Sequence, residues 1–301
     1  LKKITYHSQQ TFTTAEMSAV NKLIRTCSAH DKTHESIDIS VNAAYTCEPS
    51  LRLFHTARAG KELVGVAALF IPTPEEAEIS GFVNPSYRKK GVFKNLLTKA
   101  EAELLEFNFP SLLFVCNDQS ESGLQMLKNA EIPYDFTEYS MKLDTDIPYQ
   151  ETGITLKKTS INSVDEFIKL NVSIFNGSSE NARVMLESTF QSEDRHCYSF
   201  HQDHSVVGMG CIAYTKPENT AFIFGFGVLP EYRRKGLGKL ALCELAHFIH
   251  TTYKKPAGLE VNSRNQAALA LYTSLGFKTE SAYRYYRRPV ISHALEEVSL
   301  E

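Results

Sequence analysis

Six cysteines are spread over the 301 residues, at positions 27, 47, 116, 197, 211 and 243, and no two stand in a C-x-x-C spacing. That argues against a zinc framework, and the apolar or helical surroundings of most of them read as reduced thiols in or near a core. No clustered carboxylate ligand set stands in the sequence, and no catalytic metal is expected. Cys211 and Cys243 have no evident Cys-His-acid arrangement, which favours packing over a nucleophilic role. No apolar run reaches the roughly 20 residues of a membrane-spanning helix, and no membrane partner is expected. The opening LKKITYHSQQ lacks the apolar core of a secretory signal, which makes the cytoplasm the expected location. Charge of one sign is missing too: 32 Lys and Arg face 35 Asp and Glu, a formal net charge of -3. No nucleic-acid partner is expected from that balance, although a local basic turn can still hold one phosphate group.

What is present is an ordinary globular composition, 43% hydrophobic and 22% charged, on a chain long enough for two domains or one large one. One stretch organises the rest: AFIFGFGVLPEYRRKGLGKLALCELAHFI, residues 221–249. Its first eight residues are β-branched, aromatic and small, and read as a mostly buried strand that Pro230 is poorly suited to continue. After Arg233-Arg234-Lys235-Gly236-Leu237-Gly238, apolar residues at 240, 242, 245, 246 and 249 repeat with helical spacing. Strand, basic glycine-containing turn and helix start make an anion cradle, in which free amides and the positive helix end face a ligand.

Along the chain the spacing predicts a helix after Thr13, where Thr13 and Glu16 form a capping box and Met17, Val20, Ile24 and Cys27 share a face. A short helix and loops are expected within 29–50. Strands follow at 51–56 and 63–71 around a turn at Gly60, then at 78–83; a helix runs from the Tyr87–Gly91 turn to about Phe107, and a strand at 111–116 precedes a helix at 120–129. Residues 134–143 supply terminal strand, and the turn-rich 146–153 reads as a linker. The order then starts again. A strand at 154–157 leads to a helix with a second capping-box spacing, Ser163 and Glu166, and residues 180–190 give a second helix. Strands at 198–201 and 206–214 flank an Asp203-His204 turn. After the organising stretch come a strand at 259–262, a helix at 266–275 and a terminal strand through about Arg287.

The repetition extends to individual residues at an offset of 145. Val83 aligns with Val228, Pro85 with Pro230, Tyr87 with Tyr232, Arg88 with Arg233, Lys90 with Lys235, Gly91 with Gly236 and Asn117 with Asn262. A register kept over about 35 residues is the mark of a chain built twice.

The second copy resembles the GNAT superfamily of acyl-CoA-dependent N-acetyltransferases. The resemblance rests on Arg233–Gly238 after the strand, on Leu259-Glu260-Val261, and on the spaced set Asn265, Ala268, Tyr272, Gly276 and Phe277. It implies an α/β (α+β by some schemes) architecture of two tandem domains, each a mixed, mostly antiparallel central sheet flanked by helices. The expected extents are a degenerate copy at 1–145, the linker, a second copy at 154–290 and a tail at 291–301. Two central strands, 221–228 and 259–262, would splay to admit acetyl-CoA as co-substrate.

The resemblance further implies which residues do what. The backbone of Arg233, Arg234, Lys235, Gly236, Leu237 and Gly238 would cradle the diphosphate, while Phe226, Gly227 and Val228 line the pantetheine arm. Asn265 fits two roles, contact with that arm or the cap of the next helix. Tyr272 is the expected general acid, giving a proton to the departing thiolate, and its alternative is aromatic packing. Glu260 is the leading base, its alternative an outward-facing residue, with His201, His204 and His247 ranking below it. The expected reaction is direct transfer of an acetyl group to a primary amine of an acceptor the sequence does not identify. Two other readings fit the same motifs: a noncatalytic acyl-CoA-binding regulator, and a tandem structural or interaction protein. In the first copy Phe93 stands where Gly238 does, Ser120 where Asn265 does and Leu127 where Tyr272 does, so a noncatalytic role is expected there.

Overall fold

A computed structural model describes residues 3–33, 42, 46–144, 151–214 and 219–291. The chain divides into two compact units: residues up to Thr137 with the segment from Tyr283 onward, and Glu138–Ala282. Most of the expected linker (146–150), most of the tail (292–301) and much of the irregular 29–50 region lie outside the described residues.

The first unit opens with β1 (Ile4–Gln9) and α1 (Thr14–Asp31), where the Thr13–Glu16 capping box forms as expected. Then come β2 (Phe54–Ala59), β3 (Glu62–Thr73), β4 (Glu76–Val83), α2 (Val92–Glu106), β5 (Ser111–Asn117) and α3 (Glu121–Asn129). β1 to β4 pair antiparallel in sequence order, and β4 pairs parallel with β5. The strand on the far side of β5 comes from the other end of the chain: in β12 (Lys278–Pro289), Tyr283 to Pro289 run antiparallel to β5. Val20, Leu23 and Ile24 of α1 and Leu96, Ala100 and Leu104 of α2 close the core with the apolar residues of β2 to β5.

The second unit repeats this order. It contains β7 (Thr155–Lys158), α4 (Val164–Phe175), α5 (Ser179–Gln191), β8 (Arg195–Gln202), β9 (Ser205–Ala213), β10 (Ala221–Val228), α6 (Leu237–Phe248), β11 (Ala257–Asn262) and α7 (Gln266–Ser274). β7 to β10 pair antiparallel, β10 pairs parallel with β11, and Glu138–Leu143 of β6 (Tyr134–Leu143) flanks β11 antiparallel. The closing strand of each unit therefore follows a rule that two consecutive halves do not anticipate. β6, next in sequence after the first unit, flanks β11, and the end of β12 flanks β5.

Two local expectations are corrected. Ser163 ends a 3-10 turn over Ile161–Ser163 and its hydroxyl caps nothing, because the turn already carries the chain into α4. Cys197 and Cys211, both fully buried, are joined as a disulfide, so the reading of six reduced thiols fails for this pair. The Asp203-His204 turn, with both residues at positive φ, sets the hairpin register, and an irregularity between Phe200 and His201 shifts it by one. Without that shift Cys197 would face Gly210; with it, Cys197 faces Cys211. Among the described residues no helix is long and apolar enough to cross a membrane.

Candidate active site

β10 and β11 pair in parallel only from Ala221/Ala257 to Ile223/Leu259. Beyond that point each strand continues on its outer neighbour, β10 with β9 as far as Val228 and β11 with β6 as far as Asn262. The two inner edges part, leaving strand backbone free to pair with an extended, amide-bearing ligand. The ladder of β10 with β9 is also irregular, since Gly225 and Phe226 together oppose one residue, and Gly225 sits at φ 56°. Such bulges recur beside active sites, where they turn backbone away from the sheet.

The turn at the mouth of the split presents a run of open backbone amides. Arg234 (φ 59°) and Gly236 (φ 80°) both adopt the left-handed conformation, and Gly236 caps α6 without a side chain. Lys239 and Leu240 donate to the Gly236 carbonyl, at 3.0 and 3.2 Å. Among the described residues the amides of Arg234, Lys235, Gly236, Leu237 and Gly238 have no protein acceptor. Five successive amide donors at a helix start form a nest for a phosphate group. A Cβ added at Gly236 would meet nothing within 4 Å, so open space lies before them.

The basic side chains divide the work. Arg233 is turned inward, its Nε donating to Val228 O (3.1 Å) and its Nη2 to Ile174 O (2.5 Å), so it locks the turn to β10 and α4. Lys235 lies over the Tyr232 ring, 5.7 Å from its centroid, and Arg234 is exposed. The guanidinium of Arg233 thus holds the turn in place while keeping its charge, and all three cations add long-range attraction.

The sheet carries the two chemical candidates on opposite faces. Leu259 and Val261 pack in one core with Leu242 and Leu245 of α6 and with Tyr272, which is 8% exposed. The Tyr272 hydroxyl has no hydrogen-bond partner among the described residues, and burial raises its pKa. Because alternate residues of a strand face opposite ways, Glu260 points to the other face, the one on which α4 and α5 cover β8 to β10. Its carboxyl is open to solvent yet surrounded by protein on most sides, as befits a cleft wall. Desolvation, with the Glu138 carboxylate adding repulsion, pushes its pKa up to about 7.

Asn265 takes up one of its two expected roles: its side chain accepts from Ala268 N at 3.1 Å and caps α7. Val228 is buried at the strand end, and Phe226 packs on Phe200 with ring centroids 5.5 Å apart. Gly227 is needed as glycine, since a Cβ there would lie 2.3 Å from Ile174 Cγ2 and 3.1 Å from Phe175 Cζ. Of the secondary base candidates, His201 holds Ser199 Oγ at 2.9 Å within β8, and burial lowers its pKa.

A feature that motif matching did not single out lies on the same face as Glu260. Between α4 and α5 a pocket of about 330 Å³ is lined by Asn171, Phe175, Ser178, Asn181 and Met185, and reaches Gly225 on the β10 bulge. Its only advance signal is the pair of glycines, Gly225 and Gly227, in an otherwise aromatic strand.

The first unit keeps the frame and changes the contents. Lys89 and Gly91 repeat the positive φ angles, and Arg88 Nε donates to Val83 O at 3.0 Å. β4 and β5 likewise pair only from Ala77/Leu112 to Ile79/Phe114. Yet Phe93 lies over β4, so close that a Cβ on Gly81 would stand 2.3 Å from its ring. Leu127 fills the position of Tyr272, almost fully buried, and Val115 that of Glu260.

Comparison with known proteins agrees with this geometry. The family model described as Acetyltransferase (GNAT) family matches residues 17–124 and 165–277. A protein of Escherichia coli named [Ribosomal protein bS18]-alanine N-acetyltransferase is 35% identical over 101 residues, 33% of this chain and 68% of that protein. Its namesake from Salmonella typhimurium is 39% identical over 66 residues, 22% of this chain and less than half of that protein, 45%. Among solved structures, a GCN5-related N-acetyltransferase from Sphaerobacter thermophilus superposes with TM-score 0.76 at 16% identity, covering 95% of this chain and 96% of that one. A tandem GNAT protein from the clavulanic acid biosynthesis pathway gives 0.72 at 14% identity, covering 96% and 99%. At these identities the two structures speak for the fold.

Proposed function

The chain belongs to the GNAT family of acetyltransferases, and from that premise we propose that its second unit transfers an acetyl group from acetyl-CoA to a primary amine, by direct attack in a ternary complex. The observation that carries the proposal is the parting of β10 and β11 after Ile223/Leu259, with the five open amides of 234–238 at its mouth. The amides receive the diphosphate, and the free edge of β10 at Phe226–Val228 receives the pantetheine arm.

The two faces of β11 support the following assignment of the proton transfers. Glu260, poised near neutrality, accepts the proton of the incoming amine directly or through a water molecule. The amine nitrogen bonds to the thioester carbonyl carbon and the carbon–sulfur bond breaks. Tyr272, on the opposite face, protonates the departing thiolate. Its hydroxyl is committed to no protein acceptor, so the proton is available. Relatives named for acetylating the alanine amine of a ribosomal protein support an amine acceptor.

The first unit, with Phe93 over β4 and neither a tyrosine nor a carboxylate at the matching positions, serves as a noncatalytic partner. The test is incubation of the full chain with acetyl-CoA and a broad amine panel, following free thiol and product mass. The reading requires N-acetylated product in step with thiol release. Acetyl-CoA bound tightly but transferred to no amine, or transferred only to oxygen, would overturn it.

A further inference from the structure

Glu260 has a charged neighbour that comes from outside the second copy as the sequence divides it. β6 flanks β11 antiparallel, with Glu260 opposite Ser140 and Asn262 opposite Glu138. Opposed residues share a face of the sheet, so Glu260, Ser140, Asn262 and Glu138 all stand on the face away from Tyr272. Glu138 is thus the diagonal neighbour of Glu260, at a spacing of roughly 7–8 Å that long side chains span. No hydrogen bond holds the Glu260 carboxyl among the described residues, which leaves solvent and nearby charge to set its proton affinity. β10 has no ionisable residue over 221–228, and α7 carries none but Tyr272, on the opposite face. Lys142, next on this face of β6, is held by Asp144 (2.9 Å) and Glu280 (3.2 Å), and Arg264 in the turn after β11 is exposed. Against this background, desolvation first and the Glu138 charge second raise the Glu260 pKa to about 7.

The first unit supplies an internal control. At the offset of 145, Glu138 corresponds to Tyr283 and Ser140 to Tyr285, and these face Asn117 and Val115 in the ladder of β12 with β5. The frame is the same, yet both carboxylates are missing from the unit that also has Leu127 in place of Tyr272. From this placement we propose that Glu138 is a positioning residue for the acetyltransfer reaction: its negative charge, diagonal to Glu260 on one face, makes the Glu260 carboxylate basic enough to take the amine proton. A carboxylate of ordinary strength is a poor acceptor from an ammonium, whereas one that titrates near the working pH combines occupancy with driving force. The proton passes from the amine nitrogen to Glu260 and on to solvent, and Glu138 touches neither proton nor substrate. Because β6 precedes the linker, the second unit draws this residue from the stretch that chain order gives to the first copy.

The proposal rests on the acetyltransfer reading with Glu260 as its base, and its test separates the two. The full chain, labelled with carbon-13 at the glutamate carboxyls, is titrated with acid and base in the native form and as Glu138→Gln and Glu138→Asp. The Glu260 resonance is identified by its loss in Glu260→Gln. In parallel, kcat/KM is followed across neutral pH with acetyl-CoA and alaninamide, or whichever amine of the panel turns over fastest, and acetyl-CoA affinity is measured for each variant. Glu138→Gln should lower both the resonance midpoint and the kinetic midpoint by about half a unit or more, with acetyl-CoA affinity kept. Its kcat/KM in mild acid should rise about threefold relative to its own plateau. Glu138→Asp keeps the charge and should stay closer to the native profile, and high salt should lower the native midpoint by screening the pair. An unmoved resonance in Glu138→Gln overturns the proposal and leaves acetyltransfer standing. A resonance that moves while the kinetic midpoint stays removes both carboxylates from the proton transfer. If Glu138→Gln fails to fold, a native midpoint indifferent to salt overturns the proposal. If no amine is acetylated the acetyltransfer reading falls, and the resonance still decides whether Glu138 acts on Glu260.

Discussion

Glu260 and Tyr272 share one strand-and-helix pairing but face different surroundings, and their behaviour should differ accordingly. With a carboxyl pKa of about 7, Glu260 is protonated and idle in mild acid, so kcat/KM should rise with pH through neutrality. Glu260→Gln should remove that rise and lower the plateau by about a hundredfold, the scale of a positioned base. The same shift bears on stability. A carboxyl whose folded pKa is raised favours the fold below its unfolded value and disfavours it once ionised, as pH climbs through 7. Glu260→Gln should therefore raise the melting temperature at pH 8 and leave it unchanged at pH 4. Tyr272→Phe removes no protein hydrogen bond, so stability should hold while kcat falls by about a hundredfold. Full activity in that variant, measured at saturating acetyl-CoA, would remove the tyrosine from the mechanism. Both positions stand out in the sequence because the local pattern around them is dense. Asn171 does not, since an asparagine in an amphipathic helix carries no mark of the cavity it will meet.

At the scale of elements, the sequence was most readable where one physical signal dominates. The strand at Ala221–Val228 and the helix after Gly236 appear where the apolar pattern puts them, and the Thr13–Glu16 box caps α1. Where a neighbour decides, the pattern fell short. Ser163 has the right spacing for a capping box, but a preceding 3-10 turn occupies the approach to α4. The Cys197–Cys211 bond depends on a one-residue slip in a hairpin that no local composition announces. The turn at 233–238 makes its own prediction. Gly236 needs φ 80°, so Gly236→Val forces a β-branched residue into the left-handed region and disturbs the amide nest. Acetyl-CoA affinity, read by calorimetry, should fall at least tenfold. Arg233→Ala should weaken it too, by freeing the turn from Val228 and Ile174.

At the scale of the molecule, the repeat was legible in the sequence and the closing strands were not. An offset of 145 pairs turn with turn, but it does not say which unit the last strand joins. In the structure Arg287 reaches Asp135 and Glu76, and Arg288 reaches the fully buried Glu101, all within the first unit. Removing the guanidinium from a buried carboxylate costs about 3–5 kcal/mol. Arg288→Ala should thus loosen the first unit from a position near the far end of the chain. Hydrogen exchange should show β4 and β5 losing protection while β10 and β11 keep theirs. Both units have a parted strand pair, but Phe93 spreads over Gly81 in the first where the second has Gly238, and on the proposed function only the second binds acetyl-CoA. A calorimetric titration of the full chain with acetyl-CoA tests this most directly, alongside Gly238→Phe. One site per chain, lost in Gly238→Phe, is the predicted result; two equivalent sites, or binding that survives the substitution, would contradict it.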